Sequence, residues 1–169
     1  MAGIVDAPRG FQPIKGFTGE VGRVNSYSLA AANALIGKWD LLNMTAAGVL
    51  DRAAASDVYI CGAAAANAAA SAGTTNFPVY DAFSQVFLAQ VNNTGIVAAD
   101  LNLNANIVVA AAVNGISQME IDGDTEATTN TLPVKLLRVH RKTGNTIGAN
   151  VALEVIINNH VFSGNLAGV

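Results

Sequence analysis

The sequence predicts an all-β fold: an antiparallel β-sandwich or barrel-like domain with an extended, Gly/Pro-rich arm at its N-terminus. Three observations carry that prediction. Short apolar runs rich in Val, Ile, Leu and Phe recur along the chain, turn residues separate them at intervals of roughly 8 to 15 residues, and no strand pattern alternates with a helical one. About eight to ten short strands follow. At 169 residues the chain has the size of one domain and can bury one sizeable core. The arm is assigned to residues 1–24 and a single β domain to residues 25–169.

Residues 1–24 hold Pro8, Pro13 and the glycines Gly3, Gly10, Gly16, Gly19 and Gly22, a density that opposes regular structure. Yet Ile4, Val5, Phe11, Ile14 and Phe17 punctuate the segment, whereas a free tail is usually more polar. It reads as an arm that becomes ordered against a neighbouring molecule, with Ile4, Val5, Phe11, Pro13, Ile14 and Phe17 as contact residues. On that reading, removal of residues 1–17 leaves a folded domain that no longer attaches.

The domain begins with short strands at Tyr27-Ser28-Leu29 and Leu41-Leu42-Asn43-Met44, separated by an Ala-rich loop that carries Trp39, the only tryptophan. Val49–Ala53 and Asp57–Gly62 read as further strands, with Cys61 a small buried side chain in an apolar run. Residues 63–72 are almost all alanine, which allows a short helix by propensity but offers no larger apolar stripe to bury, so helix and surface loop both remain open. Val86–Val91 is the best central strand, closed by the turn signature Asn92-Asn93-Thr94-Gly95. Polar and apolar residues alternate over 100–106, the pattern of a half-buried strand, and Gln118–Ile121 adds another. The last pair, Leu132–Val139 and Val151–Ile157, flanks the glycine-bearing segment 141–148 and reads as a hairpin. Neither face of its first strand is purely apolar.

Composition narrows the partners. Half of the residues are hydrophobic (51%), only 12% are charged, and the mean hydropathy is +0.38, so much of the surface is expected to be covered by neighbours. No window of about 18 residues is continuously apolar, which gives no reason to expect a membrane partner. The start of the chain lacks the charged and apolar regions of a signal peptide, and secretory export is not expected. A net charge of −3 with scattered basic residues argues against nucleic acid as a partner. The one basic cluster, Arg138, His140, Arg141 and Lys142, sits at the expected hairpin end, where Arg138, Arg141 and Lys142 are placed to meet acidic loops of a partner.

Catalytic and metal motifs are missing from the sequence. Asp122-Gly123-Asp124-Thr125-Glu126 places carboxylates close together, but its glycine spacing and the Pro133 at the twelfth position do not fit a calcium loop, and the stretch reads as a solvated acidic turn. His140 and His160 lack the close pairing of a zinc motif. No Gly-x-Ser-x-Gly elbow or phosphate-cradling glycine loop occurs. No cofactor, metal or enzymatic activity is expected.

Several stretches together resemble the capsid cement (decoration) proteins of tailed bacteriophages. They are Ala7-Pro8-Arg9-Gly10-Phe11-Gln12-Pro13-Ile14, Asn25–Leu29, Leu35-Ile36-Gly37 with Asp40-Leu41-Leu42, and Val79-Tyr80 through Phe87–Val91. Met119-Glu120-Ile121-Asp122, the Thr/Ala tract, Leu132–Val139, Gly148-Ala149-Asn150 and Asn158-Asn159-His160 complete the resemblance over nearly the whole length. The Ala-rich 63–72 stretch departs from it. The resemblance implies a structural virion protein on the outer surface of the expanded head, made in the host cytoplasm. It would bind between subunits of the major capsid protein and associate with itself as a homotrimer, or alternatively a dimer. A head-surface adhesion or fibre-base module is the alternative, for which Trp39, Tyr59, Phe77 and Tyr80 are the candidate aromatic platform.

Overall fold

Strand pairing organises the chain into two five-stranded antiparallel sheets and one small ribbon, in a computed structural model that describes residues 4–17, 19, 22–71 and 73–163. Residues 1–3, 18, 20 and 21 of the expected arm, Ala72, and residues 164–169 of the expected domain lie outside the described residues. The first sheet has the order β1 (Gln12–Gly16), β7 (Gln85–Gln90), β12 (Ala152–Ile157), β11 (Val134–Val139) and β8 (Asn104–Ala105). The second has the order β2 (Val24–Tyr27), β6 (Phe77–Tyr80), β5 (Gly62–Ala64), β3 (Leu41–Met44) and β4 (Leu50–Arg52). β9 (Ile107–Val108) and β10 (Glu120–Ile121) form the ribbon, and a single 3-10 turn at Ala98–Asp100 is the helical content among the described residues. The all-β class is as the sequence predicts.

Alternation along the strands explains where the cores lie. In the second sheet, Leu41 and Ala63 point into a core shared with Phe87, Leu136, Leu153 and Val155 of the first sheet. Their neighbours Leu42 and Ala64 point the other way, into a second core with Leu29, Ile36, Leu50 and Val79. The centre of the second sheet is therefore buried on both faces, which demands small residues there. At Gly62 a Cβ would stand 2.2 Å from the Tyr80 carbonyl oxygen, so no side chain fits there.

This packing settles the Ala-rich stretch. Of the 63–72 stretch, Ala63 and Ala64 join Gly62 as the wholly buried strand β5, and 65–71 continue as non-helical turns that are largely exposed apart from Ala68, the loop alternative. Ala68 bridges to Ile36 through two backbone hydrogen bonds of 2.9 and 3.0 Å. Ala63, Ala64 and Ala68 serve close approach between layers, a role that tertiary packing imposes against helix propensity.

Other elements shift. The strand expected over 57–62 begins only at Gly62, with Ile60 making one isolated bridge to His160. The alternating 100–106 segment is a 3-10 turn followed by a bend, and only Asn104–Ala105 pairs, because Asn102 takes a left-handed conformation (φ 74°) that breaks the strand. The hairpin of β11 and β12 forms as expected, with a register shift between Leu136 and Arg138. That bulge resets the alternation, so Val139 returns to the core beside Val134 and Leu136. The mixed faces of this strand in the sequence record the bulge.

Candidate interaction surface

The N-terminal segment is built into the first sheet. β1 is its edge strand, antiparallel to β7, with Gln12 opposite Leu88 and Gly16 opposite Gln85. Phe11, just before it, is fully buried, and its N–H donates to the Trp39 carbonyl at 2.9 Å. Gly10 makes that passage possible: it sits at φ +67°, and a Cβ there would lie 2.4 Å from Ser117. Two expectations change. Phe11 is a core residue with no surface to offer a partner, and deletion of residues 1–17 would remove an edge strand and a core aromatic, so it is no clean test of attachment.

At the far end of β1 an apolar surface opens. Ile14 is 38% exposed and Phe17 61%, and the Phe17 N–H donates to the Ser84 carbonyl at 3.2 Å, which brings the turn between β6 and β7 alongside. That turn carries Phe83, 67% exposed, and the adjoining β2 begins with Val24, 46% exposed and opposite Tyr80. Phe83 and Val24 escaped the sequence reading. The available signal was a phenylalanine inside the short turn Asp81-Ala82-Phe83-Ser84, between two strands that had no need of it.

A buried carboxylate holds this turn in place. Asp81 accepts hydrogen bonds from Arg23 Nε (3.1 Å), Asn25 Nδ2 (2.8 Å) and the Tyr27 hydroxyl, so three side chains of the β2 segment converge on the residue that starts the turn. Burial alone would raise the Asp81 carboxyl, but the bonds from Tyr27, Asn25 and Arg23 outweigh it and hold the group below its ordinary value. Burial and the Asp81 bond push the Tyr27 hydroxyl up. Cys61 and His160 lie in the same region. Burial pushes the Cys61 thiol up to about 12 and holds the His160 imidazole below its usual value. A thiol so placed stays protonated at neutral pH and is a poor nucleophile.

At the near end of β1 lies a cleft of about 710 Å³ between residues 4–10 and the loop after β11. Gln90 fixes its inner wall: its side-chain amide donates to the carbonyls of Val5 (2.9 Å) and Asn150 (2.8 Å), and its Oε1 accepts from the Ala7 N–H (3.0 Å). Ile4 is half-buried against the first core, while Val5 is 75% exposed on the rim. Arg9 and Lys142 line the cleft and are exposed.

The remaining expected contact residues divide. Pro13 is half-buried within β1, opposite Phe87. Arg141 is exposed in the loop. Arg138 is held by Glu154, to whose Oε2 it donates from Nε (2.9 Å) and from a terminal nitrogen (2.7 Å). Lys15 (3.4 Å) and His140 (3.3 Å) also reach Glu154. Burial would raise this carboxyl, but the bonds from Arg138, His140 and Lys15 hold it below its ordinary value.

Among the described residues no three His, Cys, Asp or Glu side chains come together as a metal site. Asp122 turns its carboxylate inward, accepting from Asn92 Nδ2 (3.2 Å) and the Asp124 N–H (3.4 Å). The four aromatic residues proposed as a binding platform are not presented together: Phe77 is 3% exposed, Trp39 and Tyr80 are half-buried, and Tyr59 is 39% exposed. No family model matches the chain, and no curated protein or solved structure matches it either.

Proposed function

We propose that this chain is a structural virion protein that binds the outer surface of the expanded phage capsid between major capsid protein subunits and stabilises the head. The observation that carries the reading is the set of exposed apolar side chains at the end of β1 (Ile14, Phe17), in the β6–β7 turn (Phe83) and at the start of β2 of the second sheet (Val24), which keep between 38% and 67% of their surface. Such residues on a chain with only 12% charged residues favour burial against a protein neighbour. The resemblance to cement proteins names that neighbour.

The action is physical and involves no reaction. Burying apolar area contributes roughly 25 cal/mol per Å² before the costs of association are subtracted. A chain that touches several capsid subunits at once, as a homotrimer or alternatively a dimer, gains effective concentration from each contact already made. Weak single interfaces then sum to firm attachment, and a capsid subunit can leave only by breaking cement contacts too.

The test is to mix the purified chain with expanded heads that lack it, sediment the heads and image the pellet by cryo-electron microscopy. The proposal expects ordered density on the outer surface, at threefold positions for a trimer or twofold positions for a dimer. A folded chain that stays in the supernatant contradicts it.

A further inference from the structure

We propose that the cleft between residues 4–10 and the loop after β11 binds an extended acidic segment of a partner protein. The two basic side chains on its wall, Arg9 and Lys142, face a lining that contains no aspartate or glutamate. Among the described residues neither cation takes part in an ion pair, as is also true of Lys38, Lys135 and Arg141, but Arg9 and Lys142 are the two that share one cleft. A cleft lined by two cations and no carboxylate fits a negative ligand. Asp6, between the lining residues Val5 and Ala7, does not itself line the cleft.

The shape selects among negative ligands. About 710 Å³ lies within the usual range of ligand-binding clefts, roughly 300–1,000 Å³, and gives room for a short stretch of chain. Leu88 supplies apolar lining for its aliphatic groups, and Val5 adds an exposed apolar rim. No aromatic side chain lines the cleft, so bases have nothing to stack on, and two cations are too few for a phosphate backbone. A peptide carrying carboxylates among aliphatic residues matches both features. The wall is also fixed in advance, because Gln90 ties residues 5, 7 and 150 together, which lowers the ordering cost of binding.

If the proposed function holds, the partner segment belongs to the capsid protein, but the cleft can be tested without heads. The full-length chain is titrated with a short peptide of alternating Glu and Val and followed by amide chemical shifts in NMR. A Lys/Val peptide of equal length and a single-stranded oligothymidine serve as comparisons. Saturable shifts at Gln90, Arg9 and Lys142 with the acidic peptide alone are expected. They should weaken by roughly tenfold between about 50 mM and 300 mM salt, as surface charge contacts do. The Arg9→Glu, Lys142→Glu double variant should lose the binding at unchanged melting temperature. Absence of saturable shifts, shifts that map elsewhere, equal binding by the double variant, or tighter binding of the oligonucleotide would each overturn the proposal. Peptide binding without head binding would sink the cement reading alone, and head binding that survives the double variant would sink the cleft alone.

Discussion

The two five-stranded sheets treat their outer faces differently. The centre of the second sheet is covered on both sides by its own chain, with Leu41 and Ala63 in one core and Leu42 and Ala64 in the other, while its edge strand β2 keeps Val24 and Ser26 exposed. The first sheet buries only Phe87, Leu153, Val155 and their neighbours, while Leu88 and Ile156 on its other face stay half-buried beside the Glu154 ion-pair cluster. Its edge strand β1 has an exposed apolar end and a cationic cleft at the other. The difference is one of packing: the centre of the second sheet is covered on both faces by its own chain, whereas one face of the first sheet stays half-buried.

That contrast can be broken by removing one carboxylate from each sheet. Asp40, at the start of β3, is fully buried and accepts from Arg52 Nε (2.7 Å), the Gly37 N–H (2.7 Å) and the Ser117 hydroxyl (2.5 Å). Asp40→Ala leaves Arg52, itself only 12% exposed, without its carboxylate partner and with only the Ala110 carbonyl to accept from it, and should cost about 3–5 kcal/mol in urea unfolding. An Asp40→Ala loss no greater than that of a surface substitution would show that the second sheet is not the tightly packed one.

An intermediate effect is expected from acid. His160 is buried and its folded pKa lies below the unfolded one, so protonation favours the unfolded chain. Its contribution is complete above about pH 6.5, the unfolded value, and is lost as pH falls towards the folded value. Urea midpoints should therefore drop between neutral pH and about pH 5.5, and His160→Gln should flatten that drop. Glu120 and Glu126, whose carboxyls burial raises, oppose the trend, but they act equally in both proteins and cancel in the comparison.

The smallest effect belongs to the first sheet. Glu154→Gln removes the hub of its outer face, yet Arg138 is 55% and Lys15 40% exposed, so solvent screening limits the loss to about 0–1 kcal/mol. A loss as large as that of Asp40→Ala would erase the distinction between the sheets.

The sequence was legible where a strand is half-buried and its turns carry their own signature. β3, β4, β7 and the β11–β12 hairpin follow directly from apolar runs closed by Asn and Gly. It was not legible where layers meet on both sides of a strand, because Ala63 and Ala64 open an alanine run that shows no alternation and reads as helix or loop. Phe11 and Phe17 look alike in the sequence, both apolar punctuation in a Gly/Pro-rich segment. The fold separates them, because Gly10 turns the chain so that Phe11 enters the core while Phe17 stays outside. Burial of one and exposure of the other depend on contacts with Trp39 and Ser84, which lie far away in sequence.

The most direct test of the central claim is a head co-sedimentation measurement on the Phe17→Asp, Phe83→Asp double variant beside the unaltered chain. Both side chains are exposed, so melting temperature should change little. The account predicts that the variant stays folded and loses at least about tenfold in head affinity, roughly 1.4 kcal/mol. Binding of the folded variant as tight as that of the unaltered chain would contradict it.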